Sequence, residues 1–408
     1  MFLMKIIRWF DGRHPWSYAN TLRLQYGRTK IQPRLPENPT KFKLSQAMET
    51  VATNLIGQKE YPAVSIVIPT HPRYPDFKLD RKHMTELLLN VENQLTPRFG
   101  KQLAHSIMDK LKRTTDDINY GHLSSGLAIY VSPHHAKVVH LPFEVTEKVI
   151  VDDTFEIRDL IYSAKLNMEY LLVMITKNGV RTALGYGNAI VPVTYKGMPD
   201  NIADVTNSHS LPGWDYIDTE AYDEKNIHNF IRFIDDVIAR EATLSKLPTI
   251  VIGDVKLLGY MRSITTKASN IIGYIEGNYE HASSAEIRKK IEPILSKVNE
   301  EAEDRSLRIL AGAVGTDHYV SGIAQVWRAA EEGRGRLLLV ERDYMHPATL
   351  SEDGFSLVLD EVVAGSMRHI EDAVDDVIES IIQKGGDIQF VRNGRLDAYE
   401  RIALVTRS

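Results

Sequence analysis

The 408-residue sequence contains no cysteine. That excludes disulfides, thiolate metal sites and a cysteine nucleophile, and it fits a reducing compartment, so the cytoplasm is the expected location. No apolar run approaches the roughly 20 residues of a spanning helix, so no membrane crossing is expected. The opening MFLMKIIRWF is apolar but short, carries Lys5 and Arg8, and lacks a small-residue cleavage site, so it does not read as a signal peptide. Charge of one sign is not in excess: the net charge is -5, and nothing global points to DNA or any other nucleic acid. Repeats and low-complexity tracts are absent. The sequence GRGR at 333–336 is too short for a phosphate loop and lacks the Lys-Ser/Thr that would hold nucleotide and magnesium, so it reads as a helix C-cap and turn.

What is present is a chain long enough for several cores, and three are expected. The charge is unevenly spread. Residues 1–43 carry Lys5, Arg8, Arg13, Arg23, Arg28, Lys30, Arg34, Lys41 and Lys43 against Asp11 and Glu37, a basic arm on an acidic body. With Trp9, Trp16, Tyr18 and Tyr26 interleaved, the arm could lie on RNA through phosphate contacts and base stacking; a solvated tail accounts for it equally well.

From residue 44 the pattern is regular. A first α/β domain over 44–148 has a strand at 64–68, a helical hairpin marked by Met84, Leu87, Leu88, Val91 and Leu95 and then Leu103, Ile107 and Leu111, and two strands joined by Ser132-Pro-His-His135. A middle domain over 149–262 has three strand candidates, with Asn178-Gly179 as a hairpin turn, a long polar loop over 196–226, a helix with the stripe Ile227, Phe230, Ile231, Ile234 and Ile238, and a buried-type strand at 249–253. A third α/β domain over 263–408 opens with the capping box Ser283 and Glu286. On its helix around 370–382, Val374, Val377, Ile378 and Ile381 read as core, and the acids Glu371, Asp372, Asp375, Asp376 and Glu379 as a solvated or partner-facing side.

In this order the segments resemble the archaeo-eukaryotic peptide-chain release factor and Pelota superfamily, specifically its bacterial branch. The stretches that carry the likeness are YPAVSIVIPTHPRYPDFKLDRKHMTELLLNVENQL and SSGLAIYVSPHHAKVVHL in the first domain, the segment VIVDDTFEIRDLIYSAKLNMEYLLVMITKNGVRTALGYGNAI with PTIVIGDVKLLGYM in the middle one, and GIAQVWRAAEEGRGRLLLVERD with KGGDIQFVRNG in the third. The resemblance implies three mixed α/β domains in a release-factor-like arrangement: a decoding-type domain, a middle domain of RNase H-like fold, and a C-terminal domain that binds other translation factors.

Release factors of this superfamily carry a Gly-Gly-Gln motif in the middle-domain loop, where glycines supply unusual backbone angles and glutamine helps water attack the peptidyl-tRNA ester. By position that loop is VTNSHSLPGWDYIDTEAYDEKN, 205–226. Between Tyr186 and Arg240 there is no glutamine, and Gly197 and Gly213 are isolated. Asp200, Asp204, Asp215, Asp218, Glu220, Asp223 and Glu224 face only Lys196 and Lys225, which repels ribosomal RNA phosphates. His209, Gly213, Trp214, Asp215 and Tyr216 thus stand where the hydrolytic motif would be, with Trp214 and Tyr216 expected to anchor the loop by packing. The Asn-Ile-Lys-Ser motif of stop-codon readers is also missing, the corresponding turn being Leu95-Thr-Pro-Arg-Phe-Gly-Lys101. What remains is a basic surface in which Arg73, Lys78, Arg81 and Lys82 could sit on phosphates, a solvated helix start with ordinary loop charges being the alternative; Arg8, Arg13, Arg23 and Arg28 of the arm are the other candidates for ribosomal RNA.

His134 and His135, adjacent on a turn, do not share a face easily, so no metal site is expected, nor any cofactor. Ser208-His209-Ser210 with Asp215 lacks a G-x-S-x-G elbow. Together with the resemblance, these absences lead to a non-catalytic ribosome-binding factor that occupies the A site in hibernation, stress or rescue, with ribosomal RNA as partner and a translational GTPase such as elongation factor Tu as a further one. The alternative is a peptidyl-tRNA or RNA hydrolase that uses the carboxylates and histidines of the 200–226 loop.

Overall fold

Val64, Ile66 and Ile68 alternate with Ala63, Ser65 and Val67 along β1 (Ala63–Pro69), and both sets are buried. A strand buried on both faces lies between two packed layers. The computed structural model describes residues 54–57, 59–71, 77–166, 168–176, 179–186, 189–195, 197–199, 201–202, 205, 219–266, 268–351, 355–359 and 369–407. They form two compact units, one within 167–299, the other joining 47–166 to 300–408.

In the second unit β1 pairs antiparallel with β2 (Gly126–Val131) and β4 (Lys148–Asp152), and β2 with β3 (Ala136–Leu141), in the order β3-β2-β1-β4. Val64, Ile66 and Ile68 pack under α1 (Phe77–Phe99) and α2 (Lys101–Asp116), where Met84, Val91, Leu95, Ile107 and Leu111 complete the core. The helices reverse at Gly100, whose φ of 77° an L side chain resists. A short helix, α3 (Arg158–Leu166), follows β4.

The first unit begins with an antiparallel meander, β5 (Glu169–Thr176), β6 (Gly179–Tyr186) and β7 (Ala189–Val193). Thr176 pairs with Gly179, so Gly179 already belongs to β6 rather than to the expected Asn178-Gly179 turn; pairing along β5 fixes the register. At Gly185 a Cβ would lie 2.0 Å from the Tyr170 ring, so only glycine lets that ring cross the neighbouring strand. Helix α4 (Thr219–Ser245) leads to β8 (Thr249–Gly253), α5 (Val255–Ile264) and β9 (Ile271–Glu276). β8 runs parallel to β5 and β9 parallel to β8, giving the order β7-β6-β5-β8-β9. Three antiparallel strands continued by two parallel ones form the expected RNase H-like sheet. Leu171, Val173 and Ile175 face Phe230, Ile234 and Ile238 of α4 and Leu258 of α5, while Leu172 and Met174 face Ile287 and Ile291 in the first turns of α6 (Ser284–Ala313).

The rest of the second unit holds β10 (Tyr319–Ser321), α7 (Ile323–Glu331), β11 (Gly335–Glu341), β12 (Ala348–Leu350), β13 (Leu357–Val358), β14 (His369–Ile370), α8 (Ala373–Gln383), β15 (Asp387–Val391) and β16 (Ile402–Thr406). The main sheet is ordered β10-β16-β11-β15 with β11 and β15 parallel, and β13-β12-β14 form a small second sheet. Val326 and Trp327 of α7 and Val374, Val377 and Ile378 of α8 share one core with Ala63, Val67, Ala128 and Tyr130 of the first sheet. That core covers the second face of β1. The later turns of α6, through Leu310 and Ala313, cover the opposite face of the C-terminal sheet.

The fold is mixed α/β, as expected. The borders expected at 148/149 and 262/263 fall inside β4 and inside α5, and β9 extends the middle sheet beyond the second. Short edge strands such as KVIVD and IIGYIE carry too little alternation to announce which sheet they join. Among the described residues no helix is long and apolar enough to cross a membrane.

Candidate functional site

Helix α1 presents Arg81, Met84, Thr85, Leu88, Leu89 and Glu92 on one side, a three-four spacing that stacks them along a single stripe. Helix α2 answers with Met108, Lys112, Thr115 and Asp116, and a single 3-10 turn over Tyr120–His122 places the Tyr120 ring across the end. The result is a cleft of about 280 Å3 between the two helices. Met84 and Met108 are buried at its floor, whereas Arg81, Lys112 and Asp116 are exposed at its rim. Burial pushes the Tyr120 hydroxyl above its ordinary range, with Arg81 opposing and Asp116 and Asp80 adding, so the hydroxyl stays a neutral donor.

Of the predicted RNA-contacting residues, the structure places Arg81 and Lys82 side by side on exposed turns of α1; Arg81 lines the cleft, and Lys82 reaches Glu86 at 3.7 Å. Lys78 lies in the first turn of the same helix, though its side chain is outside the described residues, as are Arg73 and the arm residues Arg8, Arg13, Arg23 and Arg28. The loop residues His209, Gly213, Trp214, Asp215 and Tyr216 also lie outside them; the described chain resumes at Thr219 with α4. At the hairpin tip Arg98 turns inward, donating to the Val151 carbonyl at 2.8 Å. His135, a metal ligand by residue type, stands 3.3 Å from Glu60. Glu92, Lys112, Asp116 and Tyr120 carried no motif; only the shared stripe spacing on two helices could have drawn attention to them.

The acids of α8 do not form a solvated face. Asp372, Asp375 and Glu379 are buried, and they close on residues more than 200 positions earlier. Arg158, 2% exposed, bonds the Asp372 carboxylate and the Tyr344 carbonyl, with Glu156 at 3.9 Å. Lys148 Nζ lies 3.0 Å from both Glu156 and Asp159. Asp375 accepts the backbone N–H groups of Ile157 at 3.1 Å and Arg158 at 2.8 Å, satisfying two free donors at the start of α3 from a distant part of the chain. Asp372 is the N-cap of α8, accepting from Val374 N at 3.1 Å, and it also accepts from His346 N at 3.1 Å. The Gly57 N–H donates to Glu379. A carboxylate-rich helix face can turn inward only where buried cations and backbone donors meet it.

Burial holds the Asp372 carboxyl up to about 6, with Arg158 opposing. Burial and the neighbouring Glu156 raise Asp375 well above the carboxylate range, and burial with Asp152 and Glu379 does the same for Asp376. Burial alone would lower Lys148 and Arg158, but Glu156 and Asp159 around the first and Asp372 and Glu156 around the second raise both. Neither Asp372, Asp375 nor Arg158 lines the α1–α2 cleft. The network is a structural lock joining early and late parts of one unit.

Residues 169–334 match the family model described as bacterial archaeo-eukaryotic release factor family 3. A search of the curated proteins finds no match. Among solved structures, Dom34 of S. cerevisiae, a translation termination-like factor, is similar at 15% identity and a TM-score of 0.34, over 68% of this chain and 73% of that one. Pelota of Archaeoglobus fulgidus is similar at 14% and 0.32, over 68% and 75%. An archaeal Pelota, in a model of it bound to the ribosome with ABCE1, is similar at 12% and 0.37, over 92% and 98%. The likeness to a bacterial archaeo-eukaryotic release factor family thus covers 169–334, from β5 to just past the end of α7, in a chain whose order of segments resembles the same superfamily.

Proposed function

We propose that this protein binds the ribosome as a release-factor-like translation factor, occupies the A site in hibernation, stress or rescue, and does not hydrolyse the peptidyl-tRNA ester. The observation that carries the reading is a pairing of presence and absence: a match to a release-factor family over 169–334 in which the stretch 205–226, ending in the first turns of α4, holds no glutamine and no paired glycines. Without them the loop lacks the donor and the backbone freedom that position water against the ester. The acids of this stretch, among them Glu220, Asp223 and Glu224 in the first turns of α4, favour a protein neighbour or their own domain over rRNA phosphates.

The basic arm with Arg8, Arg13, Arg23 and Arg28 and Lys82 of α1 supply phosphate contacts in this reading, with Arg81 beside Lys82 as a further RNA contact, and a translational GTPase such as elongation factor Tu is its further partner. The test is co-sedimentation with ribosomes across a salt series. Binding that weakens steeply with salt supports the proposal, because counterion release follows the number of phosphates neutralised. No binding at about 50 mM salt, where such contacts are strongest, contradicts it.

A further inference from the structure

The cleft between α1 and α2 is built unlike an ordinary seam between helices. Its rim carries two cations, Arg81 and Lys112, and two carboxylates, Glu92 and Asp116, around a buried floor of Met84 and Met108 with the Tyr120 ring at one end. Opposite charges on one helical hairpin usually pair; here Lys82 reaches Glu86 at 3.7 Å and His105 reaches Asp109 at 3.5 Å. Among the described residues, none of the four rim side chains forms an ion pair or a side-chain hydrogen bond with another, although all border one small space and Arg81 and Asp116 both act on the Tyr120 hydroxyl through their charge.

Donor-only and acceptor-only groups around an apolar slot suit a flat ring with hydrogen-bonding edges of both kinds. The carboxylates would accept from ring N–H and amino groups, the cations would donate to ring nitrogen and carbonyl oxygen, and the tyrosine ring and methionine sulfurs would cover the faces. A bare phosphate fits poorly, because Glu92 and Asp116 would repel it. An apolar side chain of a protein partner fits poorly too, because it would strip water from four charges and pair none of them. The volume, about 280 Å3, is at the low end for small-molecule sites and holds one ring system rather than a stacked run.

We infer that this cleft is a binding site for a single unpaired nucleobase of RNA, with guanine the best match. Guanine places N7 and O6 together for a bidentate arginine, as Arg81 could provide, and its adjacent N–H and amino donors suit a carboxylate on the opposite rim. The inference rests on the ribosome-binding reading for its biological setting, but the site is testable without ribosomes. The site lies away from the hairpin tip at Phe99–Lys101 and uses none of its residues.

The experiment titrates the full chain with each of the four nucleoside 5′-monophosphates by saturation-transfer NMR, for wild type, Arg81→Gln and the cleft-filling Thr85→Trp, with circular dichroism to confirm that each variant is folded. Guanosine monophosphate should bind most tightly, and Arg81→Gln and Thr85→Trp should each weaken it about tenfold or more, the worth of one good bidentate base contact. No binding of any nucleotide to the wild type, or binding that ignores both substitutions, overturns the inference; a protein segment as the true occupant would give the first of these results. Co-sedimentation of the same wild-type protein with ribosomes separates the two claims. Ribosome binding with no nucleotide binding sinks the base site alone, and failure to bind ribosomes sinks the functional reading.

Discussion

Asp372→Ala should be the most damaging single carboxylate substitution in the second unit. Its carboxylate carries three jobs: it bonds buried Arg158, it caps α8 at Val374 N, and it accepts the His346 N–H. Removing one member of a buried ion pair costs about 3–5 kcal/mol, because the other charge stays behind unpaired. Arg158 would keep only the Tyr344 carbonyl and Glu156 at 3.9 Å. Loss of the helix cap adds about 1 kcal/mol. The total, about 4–6 kcal/mol, is a large share of the roughly 5–15 kcal/mol that holds a domain folded. The assay is urea unfolding followed by the fluorescence of Trp327, which sits in the core shared by the two parts of this unit. Replacing Trp9, Trp16 and Trp214 by phenylalanine leaves that single reporter and avoids the mixed signal of a two-unit chain. A double replacement, Arg158→Met with Asp372→Leu, should recover much of the loss, since an apolar pair carries no stranded charge. A loss below about 1 kcal/mol for Asp372→Ala would refute the view that this network locks the unit.

The pH dependence has a definite sign. Asp372, Asp375 and Asp376 are raised in the folded chain, so the stability they contribute is complete below their unfolded value near 4 and is lost as pH rises through the folded ones, about 6 for Asp372. Asp375→Asn should therefore flatten the decline in Trp327-monitored stability between about pH 4 and pH 7; an unchanged slope would place the titration elsewhere. In the first unit Asp254 caps α5 by accepting from Leu257 N at 2.9 Å, so Asp254→Ala should cost about 1 kcal/mol in thermal unfolding. Replacing Arg81 and Lys82 together by glutamine should weaken ribosome binding, and loss of the Lys82 phosphate contact should reduce the slope of log affinity against log salt by about 1. Equal slopes would remove α1 from the ribosome-facing surface.

The sheets were legible where strands run apolar and β-branched, as in VSIVI of β1 and TIVIG of β8, because local patterning alone buries them. The capping box was legible too: Ser283 and Glu286 bond reciprocally, with Ser283 N donating to Glu286 at 2.8 Å. The orientation of α8 was not. Its acids have the composition of a wetted face, and only Arg158, Lys148 and the start of α3, over 200 residues away, make an inward orientation possible. Sheet membership of β4 and β9 escaped for a similar reason, because pairing partners of short edge strands are chosen by tertiary contacts. The cleft needed two helices placed together before its stripes had a meaning. Arg81 was legible as a phosphate contact from its charge, while the carboxylates opposite it were invisible until the hairpin was assembled.

The central claim, ribosome binding without ester hydrolysis, is tested most directly by adding purified protein to ribosomes carrying peptidyl-tRNA and measuring bound protein and released peptide in the same sample. The account predicts saturable binding with peptide release at the rate of the untreated complex. Release that the wild type accelerates and that Asp215→Ala or His209→Ala abolishes would contradict it, and would make the stretch leading into α4 a hydrolytic centre of another design.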